Sequence, residues 1–265
     1  MRTYEEYYKI LELWERGYPK KRIEFVMNIP RGTIRDCIKK YRSLKILEAN
    51  KAEASKSTAT PILERIQNPE NIDIQEAYAY ALGIYLGDGY IVRNTRIYYL
   101  RITLDTRYPQ IIETCRTCIQ MLLPDNKVNV LYSKRGNWCE VISTYKFWPE
   151  IFPQHGSGLK QNRKIELTDW QRLIVTRYPI ALFKGLYHSD GSRFSNIING
   201  KDYPRYQFTQ HSNDIRQLFC QTCDLLELHW TEKSRTKDGV RQTTDIFISK
   251  RKDVDWLDNT IGAKS

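Results

Sequence analysis

The run Ala81–Tyr90 reads ALGIYLGDGY, and 102 residues later the chain repeats its pattern as FKGLYHSDGS from Phe183. Each run is a helix-like stretch of apolar and small residues that ends on an acid, Asp88 or Asp190, followed by glycine. The C-terminus of a helix carries partial negative charge, so a carboxylate there is disfavoured by about 0.3–1 kcal/mol. A single Asp-Gly is a turn signal. Two of them, each closing a helix of this composition, require another explanation.

The segments after the two runs also match in order. "YIVR", a turn near Asn94 and "IYYLRITL" form one hairpin, and "RFSNII", Asn199-Gly200 and "YPRYQFTQ" form the other. A helix bearing "CRTC" or "CQTC" comes next, then two strands joined at Arg135-Gly136-Asn137 or near Asp238-Gly239. A short helix and a Gly-x-Lys close each half. Lys160 lies 72 residues after Asp88, and Lys264 lies 74 after Asp190. The pattern predicts an α+β chain made of a duplicated, pseudo-twofold αββαββα unit, with halves at 74–164 and 165–265.

Small residues recur every fourth position in both helices, as Ala79, Gly83, Gly87 and as Ala181, Gly185, Ser189. Such a stripe lets two helix backbones approach closely. Asp73 with Glu76 is a capping pair for the first helix, and Pro179 suits the start of the second. Helices running side by side in one direction bring Asp88 and Asp190 together. Two carboxylates at two negative helix ends repel, and a divalent cation removes the conflict. The acids therefore read as ligands of Mg²⁺, with Mn²⁺ as the alternative. His188 reads as a packed helix residue rather than a ligand.

Residues 1–46 form a separate helical pattern. Ile23 and Val26 face inward on one helix, and Ile34, Cys37, Ile38 and Tyr41 form the stripe of the next, after "NIP". From 17 to 45 there are nine Lys or Arg against Glu24 and Asp36. Arg31, Thr33, Arg35 and Lys39 lie off the apolar stripe, as the second helix of a DNA-reading helix-turn-helix requires. Residues 47–73 begin polar and small and read as a linker.

A net charge of +11 points to a polyanionic partner, nucleic acid foremost. No long apolar run predicts a membrane span, and "MRTYEEYYKILELW" does not read as a secretory leader, so an intracellular, cytoplasmic protein is expected. The two CxxC pairs lie far apart on helix-like stretches. They read as buried thiols in a reducing compartment rather than a zinc site.

The pair "ALGIYLGDG" and "FKGLYHSDG" resembles the signature helices of a monomeric LAGLIDADG homing endonuclease over roughly residues 74–265. The resemblance implies the homing-endonuclease fold, with one saddle-shaped antiparallel sheet per half, in a monomeric pseudo-dimer. It implies metal-dependent cleavage of both strands of duplex DNA at a long site, leaving short 3′ overhangs. The last acid of each signature, here Asp88 and Asp190, then binds the catalytic metal. Lys160 and Lys264 fall where a basic residue of each half approaches a scissile phosphate, and Gln210 where a polar residue orders water. Leu104 holds the matching place in the first half, and Leu86 and His188 replace the inner acid of each signature.

DNA reading is expected from Arg93, Arg96, Tyr99 and Arg101 on the first sheet and from Arg193, Asn196, Arg205 and Gln207 on the second. Lys134, Arg135, Lys233 and Arg235 are expected at phosphates. Two other roles share the resemblance: a DNA-binding regulator that has lost cleavage, and an intron RNA maturase.

Overall fold

The computed structural model describes residues 4–15, 18–39, 61–95, 97–237 and 241–265, and the chain divides into two compact units, Met1–Ala59 and Thr60–Ser265. In the first, α1 (Tyr4–Glu15), α2 (Lys20–Met27) and α3, helical across 31–39, enclose Ile10, Leu13, Ile23, Ile29, Ile34 and Ile38. Asn28, at φ 49°, takes the left-handed conformation that ends α2. The Glu24 carboxylate accepts the amide of Arg31 at 3.1 Å, fixing the start of α3. Val26, expected to face inward, is 58 % exposed. Because α2 stops at Met27 and the chain swings at Asn28, Ile29 fills the interior instead. Tyr41 and the segment 40–60 lie outside the described residues.

The second unit opens with α4 (Pro61–Gln67), whose Leu63 and Ile66 are buried. The later part of the stretch expected as a linker is thus folded structure. The Gln75 amide donates to the Ile66 carbonyl at 3.1 Å and ties α4 to α5 (Ile72–Asp88). That helix starts behind Asn71, so Asp73 lies within its first turn and the expected Asp73–Glu76 cap is not formed.

From α5 the chain runs through β1 (Gly89–Asn94), β2 (Ile97–Asp105), α6 (Pro109–Leu122), β3 (Val128–Tyr132), β4 (Trp138–Tyr145) and α7 (Trp148–Ile151). After α8 (Asp169–Arg177) it repeats the course through α9 (Pro179–Asp190), β5 (Gly191–Phe194), a ribbon of β6 (Ile197–Ile198) and β7 (Lys201–Asp202), β8 (Arg205–Thr209), α10 (Asn213–Leu225), β9 (Trp230–Lys237), β10 (Arg241–Ile248) and α11 (Arg251–Thr260). The antiparallel sheets have orders β1-β2-β4-β3 and β5-β8-β10-β9, the same topology twice. Asn199 and Gly200 both have positive φ at the ribbon turn, as their sequence requires. The duplicated αββαββα architecture is present in full.

One face of each sheet is core: Leu100, Ile102, Leu104 and Val141 in the first, Tyr206, Phe208, Ile246 and Ile248 in the second. The helix α5 is buried along nearly its whole length, from Tyr78 to Leu86, which explains why its sequence lacks a polar face. All six cysteines are free; Cys115 and Cys223, on α6 and α10, are buried as expected. Gln171, which completes the Thr168 capping box of α8, bonds Tyr78 of α5 at 2.7 Å and exchanges hydrogen bonds with Gln154. This buried network joins the start of the second half to the first.

Candidate metal centre

The helices α5 and α9 lie in contact through their small residues. A Cβ on Gly83 would fall 2.7 Å from the Leu182 carbonyl and the Leu186 amide, and one on Gly185 would press on Tyr80, Gly83 and Ile84. One turn further on, a Cβ on Gly87 would overlap the Ser189 hydroxyl and the Asp190 carboxylate. The contacts advance in the same direction on both helices, so the helices run parallel and their last residues, Asp88 and Asp190, share one site.

Burial, and then the charge of Asp190, push the Asp88 carboxyl up to about 7. Burial also raises Asp190, against the pull of the Ser189 hydroxyl, the two lysines and the Gln210 amide. The sign is that of a site with more negative charge than its surroundings neutralise.

Lys160 and Lys264 are both here, in matching roles. The Lys160 ammonium donates to the carbonyl of Tyr85 and, at 3.2 Å, to that of Gly87, with the Tyr85 ring beneath it. The Lys264 ammonium donates to the Ser189 carbonyl at 3.0 Å and lies over Tyr187. Each lysine thus satisfies end carbonyls of the helix whose last residue is the acid. Burial lowers both ammonium groups, Lys160 to about 8, against the pull of the two carboxylates.

Gln210, just past β8, donates from Nε2 to Asp190 Oδ2 at 2.8 Å. Its Oε1 accepts the amides of His211 and Ser212 at 2.8 and 3.2 Å, which fixes the orientation of the side-chain amide. In the first half, where Gly89 pairs with Ile102 as Gly191 pairs with Phe208, the equivalent residue is Leu104, buried and apolar. His188 is buried as a neutral ring, its Nδ1 bonded to the Tyr80 hydroxyl at 2.9 Å and its pKa pushed down to about 3 by burial and nearby lysines.

Two clefts flank Asp88. One, of about 330 Å³, is lined by Asp88, Lys160, Gln210, His155 and Arg163. The other, of about 410 Å³, is lined by Asp88, Lys264, Leu104, Asp105, Arg107 and His188. Arg163 escaped the sequence reading; nothing in its local pattern marks it. No group of three or more His, Cys, Asp or Glu side chains gathers among the described residues. Two hard carboxylates suit Mg²⁺, which keeps several waters and commonly takes its remaining oxygens from substrate phosphate. The donor set fits such an ion.

The expected DNA-reading residues divide between the two faces of the sheets. Tyr99, Arg101, Arg205 and Gln207 lie on the face away from the core by strand parity. Arg101 is held there by Tyr90 and Glu140, at 3.4 Å from each. Arg93 and Arg193 lie on the other face, in register with Tyr98 and Tyr206. Arg193 makes two bonds of 2.6 and 2.7 Å to Asp258 of α11, so it belongs to the fold, contrary to expectation. Asn196 is half-buried in the loop after β5. Its Nδ2, like Nε of Arg101 and Arg205, is a buried donor with no partner among the described residues. Lys134 and Arg135 are exposed between β3 and β4, and Lys233 is exposed on β9. Arg235 belongs to β9, with its side chain outside the described residues, and Arg96 lies outside them altogether. On α3, Arg31, Arg35 and Lys39 are exposed and Thr33 is half-buried.

No protein-family model matches the chain, and no curated protein matches it in sequence. Among solved structures it is similar to mesophilic variants of the homing endonuclease I-DmoI (16 % identity over 72 % of this chain and 98 % of that one, TM-score 0.49). It is also similar to I-DmoI in complex with DNA and Mn (14 % identity over 72 % and 98 %, TM-score 0.48). A third is the N-terminal LAGLIDADG domain of DUF199/WhiA (13 % identity over 72 % and 84 %, TM-score 0.45). Among the described residues no helix is long and apolar enough to cross a membrane.

Proposed function

We propose that this chain is a site-specific, metal-dependent endonuclease of duplex DNA, built as a monomeric pseudo-dimer. The observation that carries this reading is the meeting of Asp88 and Asp190 at two parallel helix ends, each helix end held by its own lysine. A fold with no ion to bind gains nothing from burying two carboxylates together; burial first, and then the charge of Asp190, raise the Asp88 pKa to about 7.

Asp88 and Asp190 would hold Mg²⁺, with Mn²⁺ as the alternative. The bound ion would supply charge neutralisation at a scissile phosphate and acidify water. The chain's own groups do the rest. Lys160 and Lys264 stand in the two clefts as cations beside the charge that develops on phosphate. Gln210 holds Asp190 in one orientation. Hydrolysis forms a bond from a water oxygen to phosphorus and breaks an ester bond; the leaving ester oxygen takes up a proton.

The open sheet faces supply readers for the major groove, Tyr99, Arg101, Arg205 and Gln207, where Arg and Gln side chains can bond base edges. Exposed Lys134, Arg135 and Lys233 suit phosphates. The helix-turn-helix segment 1–46 of the N-terminal unit is a second DNA grip through Arg31, Thr33, Arg35 and Lys39 of α3, and its tether raises effective concentration. Six free thiols fit a reducing, cytoplasmic compartment.

A regulator that binds without cutting is the second reading. It is favoured by the cleft around Lys264, where Leu104 is apolar and Arg107 pairs with Asp105 at 2.6 Å. Duplexes recovered from a randomised library by binding, then incubated with Mg²⁺, separate the two. Cleavage lost in Asp190→Asn with binding kept supports the nuclease. Binding with no cleavage under Mg²⁺ or Mn²⁺ supports the regulator.

A further inference from the structure

We infer that His188 gives the Lys264 cleft the hydrogen-bond donor that Leu104 lacks, its Nε2–H meeting a phosphate oxygen or a water that enters there. The inference rests on the nuclease reading and adds a catalytic residue to one of its two clefts.

The two clefts exchange a polar and an apolar residue between matched positions. One position lies two residues before the acid of a signature helix: Leu86 before Asp88, His188 before Asp190. The other lies two residues past the strand partner of the glycine that follows the acid: Leu104 past Ile102, Gln210 past Phe208. The cleft of Lys160 is lined by Leu86 and Gln210, and the cleft of Lys264 by His188 and Leu104. Leu86 and Leu104 are buried and have no polar atom in their side chains. Each cleft thus has one leucine and one hydrogen-bonding side chain from this set. In one cleft the polar group stands at a strand end, and in the other it stands on the helix. A histidine that served packing alone would not need to fall in the cleft where the strand position is apolar.

Tyr80 of α5 fixes the ring. Its buried hydroxyl has no other acceptor among the described residues, so it donates to His188 Nδ1 at 2.9 Å. The proton of the neutral imidazole is then on Nε2. The Tyr80 ring meets the imidazole edge-on, with centroids 5.6 Å apart and planes at 81°, and Tyr187 lies on it at 6.0 Å. Nε2 has no protein partner among the described residues and is not sealed from solvent. His188 lines the cleft with Asp88, Ser189 and Lys264. A donor held in place before charge develops on phosphate costs no reorganisation when it does. Tyr80 is a positioning residue that acts through His188.

The test uses the full chain and a supercoiled plasmid carrying a duplex recovered by binding selection, with Mg²⁺. End-labelled strands show which one is cut. His188→Leu places here the residue that already packs at position 86, so the fold should survive, as a thermal melt checks. One strand should then be cut about 100- to 1,000-fold more slowly, leaving circles nicked in the other. His188→Gln, which keeps a donor, should recover part of the loss. Leu104→Gln in the His188→Leu background should restore cutting of the same strand, a result that a packing role for His188 would not produce. Tyr80→Phe should slow that strand and not the other. A readout independent of turnover is heteronuclear NMR of the metal-free protein with labelled histidine. It should show His188 protonated at Nε2 and bare at Nδ1, its signals identified by their loss in His188→Leu. Cutting of both strands by His188→Leu at wild-type rates, equal slowing of both strands, or a bare Nε2 overturns the assignment and leaves the nuclease reading standing. Failure of the wild type to cut either strand overturns both.

Discussion

Gly83 and Gly185 face each other across the contact of α5 and α9, with room between the backbones for hydrogen and nothing larger. A Cβ at either position meets main chain of the opposite helix, which cannot rotate away. The approach of the two acids one turn later depends on this crossing.

Gly185→Ala should therefore destabilise the second unit by about 1–3 kcal/mol through overpacking, even though alanine favours helix. Urea unfolding should show a lower midpoint with little change in slope. Metal affinity should fall as well, since the helix ends are pushed apart. An unchanged midpoint would show that the helices can separate at no cost.

Asp88→Asn should stabilise the metal-free protein at about pH 8 by about 1–3 kcal/mol, a range discounted from the full shift because the carboxyl is only half-buried. Burial and Asp190 raise the Asp88 carboxyl to about 7 in the folded chain, above the roughly 3.9 of an unfolded aspartate. Folding thus takes up a proton between those values. Metal-free stability is fully present at the acid end of the window and falls as pH rises through about 7. The advantage of the Asn variant should shrink toward pH 4. Added Mg²⁺ should stabilise the wild type more than the variant. Thermal melts in EDTA and in Mg²⁺ at both pH values check the sign.

Arg193→Ala should act on the fold and not on DNA affinity. Its guanidinium bridges β5 to Asp258 of α11, and Asp258 also accepts the Tyr206 hydroxyl at 2.7 Å. Losing charge-assisted bonds of this kind should cost about 1.5–3 kcal/mol. Arg101→Ala provides the contrast: stability near that of the wild type and about 1–3 kcal/mol less discrimination at one base pair of the selected site. Equal losses of DNA affinity in the two variants would refute the assignment of faces.

Deletion of residues 1–46 should weaken DNA binding and flatten its salt dependence, by about 0.9 in log–log slope for each phosphate that the shortened chain no longer neutralises. Fluorescence anisotropy across a salt series measures it. An unchanged slope would show that the N-terminal unit does not touch DNA.

The duplication, the helix contact and the acid–lysine pairing were legible because each rests on residues repeated at fixed spacing. Two copies of an unfavourable arrangement exclude chance better than one. The faces of the strands were legible in part. Ile91 and Gly191 point to the core, so Arg93 and Arg193, two residues on, share that side and not the face of Tyr99, Arg101, Arg205 and Gln207; alternation along one strand does not say which residues of its hairpin partner share a face. Arg163 and the Gln154–Gln171 pair were hidden because their roles depend on neighbours brought together only by folding. Val26 was misplaced because helical periodicity was carried to the end of α2, where Asn28 breaks it.

Because the Lys160 cleft takes its amide from the opposite half, neither half owns a finished centre. A fragment released by early termination or by a protease would hold one acid, one ammonium group and a single saddle. On the endonuclease reading proposed above, such a fragment would be inert, and activity would wait until the two long helices have docked.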